Sequence, residues 1–167
     1  DVCIKLTSSM KQGKFILCAA LLLFFAACKK DPTMPVHPGG GDTTVTTPPK
    51  PTPYSITETF ETGSKTAYAD ANINLSTGSW DFNDALIGNL AGDVKDGNWA
   101  VRLRTGSLSM NFDISGLTVL SFKHAKYGSD ATSTWKLEMS ADGGATYTQV
   151  GSDYSETSTT LVTDSVK

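Results

Sequence analysis

The larger part of this 167-residue chain lacks two residue types that shape many small stable domains. Residues 54–167 contain neither cysteine nor proline, because all three cysteines lie at or before Cys28 and all seven prolines lie within residues 32–53. The absence of cysteine excludes disulfides, zinc ribbons and CxxC redox chemistry from this segment. A segment of 114 residues is nevertheless long enough to bury a hydrophobic core without cross-links.

Basic residues are also few. From Cys28 onward the chain has 11 Lys and Arg and 16 Asp and Glu, so the formal net charge of this part is 11 − 16 = −5, against −3 for the whole chain. Contacts with phosphate groups depend on clustered Lys and Arg side chains. We therefore expect no direct binding of nucleic acid by this segment.

Groups suited to acid–base catalysis are scarce. His124 is the one histidine of residues 54–167, so a Ser–His–Asp triad would depend on it, and we expect it to be a hydrogen-bonded, half-buried strand residue. The pairs Asp81 with Asp84 and Asp93 with Asp96 could serve glycosidase chemistry or bind a structural Ca²⁺, but their Gly and Asn neighbours favour solvated loops. We expect no catalytic residue, no metal ligand and no cofactor in this segment, with Ca²⁺ as the alternative.

What the sequence does have is one uninterrupted apolar run. Residues 15–27 are thirteen apolar residues that follow Lys11 and Lys14. A transmembrane helix needs about 20 such residues, whereas the hydrophobic region of a signal peptide needs about 7 to 15. The run ends in Phe25-Ala26-Ala27-Cys28, which resembles the lipobox of bacterial lipoproteins.

These features predict a lipoprotein signal peptide over residues 10–28, with Cys28 as the lipidated residue. The alternative is an ordinary secreted protein in which Cys28 is incidental. Residues 1–9 carry no export or folding signal, and we expect them to lie outside the fold. Acyl chains on Cys28 would hold the chain on a membrane at about 0.8 kcal/mol per buried CH₂. The charged residues 29–31 weakly resemble a surface-export tag, so an outer-membrane or cell-surface location is expected.

A linker follows the predicted lipidation site. Residues 29–53 contain all seven prolines, a run of three glycines and several threonines. Such a composition cannot bury enough apolar area to offset its conformational entropy, and proline favours extended geometry. We expect a disordered stalk.

From Tyr54 onward the pattern becomes that of an all-β sandwich. Short runs rich in Thr, Val and aromatic residues are separated every eight to twelve residues by turn residues. Trp135, Leu137 and Met139 alternate with polar residues, as one buried strand face requires. The tripeptide Asp142-Gly143-Gly144 predicts a hairpin turn. The expected strands are 55–60, 71–75, 99–104, 107–113, 119–127, 134–140, 147–151 and 159–163.

Aromatic residues are the candidates for ligand contact, because exposed rings in β-sandwiches stack on sugars. We expect Trp135 to lie in the core, whereas Trp80 lies in a loop-like stretch and is the better candidate for an exposed ring. The candidate ligand-binding residues are Trp80, Asp81, Asp84 and Tyr127, and the candidate ligand is a glycan.

Five ordered blocks together resemble a galactose-binding-like jelly-roll module. They are ETFETG at 58–63, LSTGSW at 75–80, NDALIG at 83–88, DGNWAVRLR at 96–104 and KHAKYGSD at 123–130. In Bacteroidota, such modules occur in exported lipoproteins, often N-terminal to a DNA/RNA non-specific endonuclease domain.

The resemblance covers roughly residues 56–163 of the chain and implies a non-catalytic binding or spacer module. It also implies further strands after Lys167, so that residues 54–167 would be an incomplete sandwich. The Asp-Arg-Gly-His motif of the nuclease does not occur in the sequence. A carbohydrate-binding surface lipoprotein is the alternative.

Overall fold

A computed structural model of the chain describes residues 1–8, 15–25 and 55–167, and for residues 15–25 it describes only the backbone. Cys28 and the predicted linker 29–53 lie outside the described residues. The described part is all-β and contains no helix, so it contains none long and apolar enough to cross a membrane. Its strands are β1 Cys3–Ser8, β2 Phe15–Phe25, β3 Ser55–Ile56, β4 Ala71–Leu75, β5 Gly78–Gly88, β6 Ala100–Met110, β7 Leu117–Lys126, β8 Ser133–Ser140, β9 Thr148–Glu156 and β10 Val162–Val166.

Every strand pairing is antiparallel, and β6 is the strand that the two halves of the structure share. One edge of β6 pairs with β5, which in turn pairs with β4. The other edge pairs with β2 near the start of β6 and with β1 near its end. From there the order continues through β7 to β10 on the β2 side, and through β8 to β9 on the β1 side. This arrangement is compatible with a β-sandwich.

Two arms thus extend from β6, one formed by β2, β7 and β10 and the other by β1, β8 and β9. The core includes residues of both arms. Phe122 of β7 packs edge-on against Trp135 of β8, with ring centroids 5.4 Å apart. On β6, Val101 and Leu103 are fully buried. Trp135 is also fully buried, which confirms the prediction that it is a core residue. The alternation of apolar and polar residues along the strands therefore fixes which face each strand turns inward.

Strand β6 joins two segments that the sequence analysis expected as separate strands, 99–104 and 107–113. Gly106 lies at their junction, and a glycine inside a strand pattern often indicates a bend or a break in the strand. A Cβ atom at Gly106 would lie 2.1 Å from the carbonyl oxygen of Asn83 on β5. The glycine therefore permits a close approach of two backbones and does not mark a turn.

Strand β5 was not among the strands expected from the sequence. Trp80 and Phe82 point into the core, while Asp81 and Asn83 alternate with them. At Asp84 the backbone has a φ of 50° and the register to β6 shifts. The bulge interrupts the alternation, and the acidic and amide residues gave the stretch the composition of a loop.

The predicted hairpin turn joins β8 to β9. Gly143 and Gly144 have φ angles of 69° and 86°, in the region that favours glycine. Ser140 Oγ accepts a hydrogen bond from the Gly144 amide at 2.8 Å, and Asp142 accepts bonds from the amide and hydroxyl of Thr146. The prediction of a turn at Asp142-Gly143-Gly144 is confirmed.

The N-terminal residues also belong to the sheet. Residues 3–8 form β1 between β6 and β8, and Ile4 and Leu6 are buried. Residues 15–25, the core of the predicted signal peptide, form β2 between β6 and β7. The fold thus contains strands in two segments where the sequence analysis expected none.

Candidate functional site

The outer face of β6 carries two arginines. Val101 and Leu103 turn inward, so the intervening Arg102 and the following Arg104 turn to the opposite face of the strand. Arg102 is buried, whereas the Arg104 side chain is 43% exposed. Each guanidinium lies over an aromatic ring: Arg102 is 4.3 Å from the ring centre of Tyr127, and Arg104 is 3.7 Å from that of Tyr68.

Arg102 is held by a buried ion pair. Its Nε donates to Asp93 Oδ1 at 2.8 Å and its Nη2 donates to Asp93 Oδ2 at 2.5 Å, so the pair is bidentate. Its Nη1 donates to the hydroxyl of Tyr68 at 3.4 Å. Burial alone would lower the pKa of Arg102, but the hydrogen bonds with Asp93 and Tyr68 raise it above its ordinary value. Arg102 therefore stays charged and orients both tyrosines.

The ion pair of Arg102 with Asp93 packs closely against Gly88. Asp93 follows β5 in a short turn, where its Oδ2 also accepts the amide of Leu90 at 2.7 Å. A Cβ atom at Gly88 would lie 2.7 Å from Asp93 Oδ2 and 3.0 Å from Arg102 Nη2. The expectation that Asp93 is a solvated loop acid is wrong, because its side chain is fully buried against Arg102.

Arg104 is bound at the β5 bulge. Its Nε donates to Asp84 Oδ1 at 2.9 Å and its Nη2 contacts the same oxygen. Asp84 Oδ2 accepts the amide of Thr105 at 3.0 Å and its hydroxyl at 2.9 Å. Partial burial would raise the pKa of Asp84, but these hydrogen bonds hold it below its usual range. The Asp84 carboxylate is therefore ionised and fixed in place.

We call this set of six residues the arginine–tyrosine row, since each of the other four contacts Arg102 or Arg104. Its members are Tyr68, Asp84, Asp93, Arg102, Arg104 and Tyr127. The Asp93 and Arg102 end is buried, while the Arg104 end is partly open to solvent. Aromatic rings beside a few charged side chains are a combination that occurs in ligand-binding sites.

The four predicted ligand residues do not form one site. Trp80 is 2% exposed, its Nε1 donates to Thr77 Oγ1 at 3.0 Å, and its ring packs edge-on against Phe60. The expectation of an exposed ring at Trp80 is wrong, because Trp80 lies on the inward face of β5. Asp81 lies on the other face of that strand, where burial and the neighbouring Asp70 raise its pKa.

Asp84 and Tyr127, in contrast, both belong to the arginine–tyrosine row. Their partners, Arg104 and Arg102, were not singled out by the sequence analysis. The sequence does indicate that the two arginines lie together. Arg102 and Arg104 alternate with Val101 and Leu103, so both arginines must lie on the outward face of the strand.

His124 forms a second polar cluster inside the structure. It is 4% exposed on β7, with Nδ1 2.6 Å from Glu156 Oε1 and Nε2 2.9 Å from Asp164 Oδ2. Trp135 Nε1 also donates to Glu156 Oε1, at 2.5 Å. Burial acts to lower the pKa of His124, but the two carboxylates outweigh it and raise that pKa. His124 is a hydrogen-bonded strand residue, as predicted, but it is more deeply buried than expected.

A third polar cluster surrounds the ammonium group of Lys65. Its Nζ donates to three backbone carbonyls, those of Ala67 and Ala69 at 2.5 Å and that of Ala85 at 2.7 Å. Burial lowers the pKa of Lys65, while nearby aspartates act in the opposite direction. The ammonium group thus binds three backbone carbonyl oxygens beside β5. Among the described residues, no group of three or more His, Cys, Asp or Glu is arranged to hold a metal ion.

Comparison of the chain with protein-family models, with curated proteins and with solved structures found no match.

Proposed function

We propose that this chain is a non-catalytic β-sandwich module that is exported, anchored to a membrane through lipid on Cys28, and used for binding or as a spacer. Its resemblance to modules that precede a DNA/RNA non-specific endonuclease domain supports a place as the N-terminal part of such an exported protein. The outward end of the arginine–tyrosine row is the observation that supports a binding role. The acidic balance of residues 28–167 argues against direct contact with nucleic acid.

The hydrogen bonding of His124 supports a role without catalysis. A general base needs a nitrogen that can reach the proton of a substrate. Both ring nitrogens of His124 are bound to carboxylates within the structure, and the ring is 4% exposed. The residue most suited to proton transfer near neutral pH is therefore engaged in holding strands β7, β9 and β10 together.

The lipid anchor has a direct test with a matched control. In a bacterial host fed a tagged fatty acid, Cys28→Ala should lose the label and leave the membrane fraction, because it removes the acylated thiol. Cys18→Ala removes a thiol from the same apolar run and should keep both the label and the membrane location. Labelling of Cys28→Ala at the level of the unchanged protein would contradict the anchor.

A glycan ligand is the second candidate, favoured by the partly exposed Arg104 beside Tyr68 and Asp84. Sugars present hydroxyl groups to charged donors and apolar ring faces to aromatic side chains. A surface module anchored by lipid could bind glycans at the exposed Arg104 beside Tyr68.

The glycan candidate can be tested with purified protein on a panel of immobilised glycans. Arg104→Gln removes a charged donor whose hydrogen bonds contribute about 1.5–3 kcal/mol each, so affinity for a bound glycan should fall at least about tenfold. Lys136→Gln changes the same charge on β8 and should leave the affinity unchanged. If no glycan binds, or both variants bind alike, the glycan candidate fails while the anchored module stands.

A further inference from the structure

One edge of the Arg104 guanidinium group is left open by the contacts that hold the group in place. Its Nε donates to Asp84 Oδ1 at 2.9 Å, and its Nη2 contacts the same oxygen. The guanidinium carbon lies 3.7 Å from the ring centre of Tyr68, so the ring covers one face of the group. Nη1 has no acceptor among the described residues, and the side chain is 43% exposed. The edge formed by Nη1 and Nη2 can therefore donate two parallel N–H groups to a ligand.

The acceptors beside Arg104 are, in contrast, already occupied. Asp84 Oδ1 accepts both contacts from Arg104, and Asp84 Oδ2 accepts the amide and the hydroxyl of Thr105. A carboxylate has about four acceptor positions, so Asp84 has none left for the hydroxyl groups of a sugar. Asp93 is fully buried and bound to Arg102 by both oxygens. A ligand at the exposed end of the row must therefore supply the acceptor itself.

A carboxylate is the acceptor that fits this edge. Its two oxygens match two parallel N–H groups of a guanidinium, and hydrogen bonds between charged groups are about twice as strong as those between neutral groups. Tyr68 fixes the plane of Arg104, and Asp84 fixes its rotation within that plane. A preorganised edge favours a carboxylate that is itself held rigidly, because less conformational freedom is lost on binding. The carboxylate of a uronic acid is attached directly to the sugar ring and meets this condition.

The charges around Arg104 permit the approach of an anion. Asp84 is paired with Arg104 itself. The ammonium group of Lys65 lies near Asp70, Asp81 and Asp84 and opposes their charge. An incoming carboxylate therefore does not meet a cluster of uncompensated acids.

From this geometry we propose that the exposed end of the arginine–tyrosine row binds an acidic sugar, whose carboxylate pairs with the Nη1–Nη2 edge of Arg104. This inference rests on the glycan candidate of the proposed function and names the class of sugar that the site takes. A neutral sugar would gain only hydrogen bonds to its hydroxyl oxygens, and its own hydroxyl groups would find no open acceptor on Asp84.

The test measures by calorimetry the binding of galacturonate oligomers to the full chain, beside the same oligomers after methyl esterification. The two probes have the same sugar rings and differ only at the carboxyl group. We expect the acid form to bind at least about tenfold more tightly than the ester. Polyglutamate is the third probe, because it carries carboxylates on flexible side chains without sugar rings, and it should bind more weakly than galacturonate.

Three variants locate the bound carboxylate. Arg104→Gln should remove the preference for the acid over the ester. Arg104→Lys keeps the charge without the fork of N–H groups and should retain only part of the preference. Lys136→Gln makes the same change of charge at a side chain that is 35% exposed on β8, and it should keep the full preference.

Equal binding of acid and ester by the unchanged protein would overturn the proposal, as would binding of polyglutamate as tight as that of galacturonate. A full preference in Arg104→Gln would also overturn it, because the carboxylate would then be bound elsewhere. If the ester binds as tightly as the acid and Arg104→Gln weakens both, the glycan site of the proposed function stands and the acidic ligand fails. If neither form binds, the acidic ligand fails, and a glycan panel without binders rejects the glycan candidate as well.

Discussion

Substitution of His124 by glutamine should weaken the structure more than any change at the surface. The imidazole lies between Glu156 of β9 and Asp164 of β10, and Glu156 is 1% exposed. Removing the cation leaves the Glu156 carboxylate buried, with the indole N–H of Trp135 as a remaining donor. Breaking a buried pair by removing one partner costs about 3–5 kcal/mol. We expect about 3 kcal/mol, near the lower end of this range, because Trp135 remains bonded.

The measurement is urea unfolding followed by tryptophan fluorescence, since Trp135 stacks on Tyr154 with ring centroids 4.3 Å apart. For a domain of this size, 3 kcal/mol corresponds to a fall in Tm of about 6–12 °C. Asp164→Asn is the matched control, because the Asp164 side chain is 43% exposed and its ion pair should contribute about 0–1 kcal/mol. Equal losses in the two variants would refute the argument from burial.

The pH dependence provides a second check. The pKa of His124 is raised in the folded state above its ordinary value of 6.5. A group with a raised folded pKa stabilises the fold fully below its unfolded pKa, and this contribution is lost as pH rises through the folded pKa. The difference in stability between the unchanged protein and His124→Gln should therefore be largest near pH 6 and shrink toward alkaline pH. A difference that is constant or grows with pH would contradict the assignment.

Two further predictions concern the arginine–tyrosine row. Arg102→Lys keeps the charge but loses the bidentate pair with Asp93, so it should destabilise the protein by about 2–4 kcal/mol in urea unfolding, whereas the exposed Arg104→Lys should cost less than about 1 kcal/mol. Gly88→Ala should cost about 1–3 kcal/mol because its Cβ would meet the Asp93 carboxylate. That cost should fall in an Asp93→Ala background, and an unchanged cost there would place its origin elsewhere.

Much of the all-β architecture could be predicted from the sequence. Strand β4 occupies the residues expected for it, and the turn at Gly143 and Gly144 was indicated by its glycines. These features depend on alternation and turn chemistry over a few neighbouring residues. Trp135 was placed in the core correctly for the same reason, because its strand alternates without interruption.

The features that could not be predicted depend on contacts between residues distant in sequence. Asp93 resembles a loop acid until Arg102, nine positions later, pairs with it inside the structure. Trp80 resembles a loop residue because its polar neighbours and the bulge at Asp84 conceal the alternation of β5. The strand at residues 3–8 is set by pairing with residues a hundred or more positions away. Local patterns contain no information on such partners.

The central position of β6 also determines how the structure can unfold. Its residues hydrogen-bond to β5 along one edge and to β2 and β1 along the other, so both arms of the fold share this one strand. Neither arm can separate from β6 without exposing core residues of β6 itself, such as Leu103 and Leu108. We therefore expect the described part of the chain to unfold as a single cooperative unit, with partial opening confined to an outlying strand such as β4, which pairs only with β5.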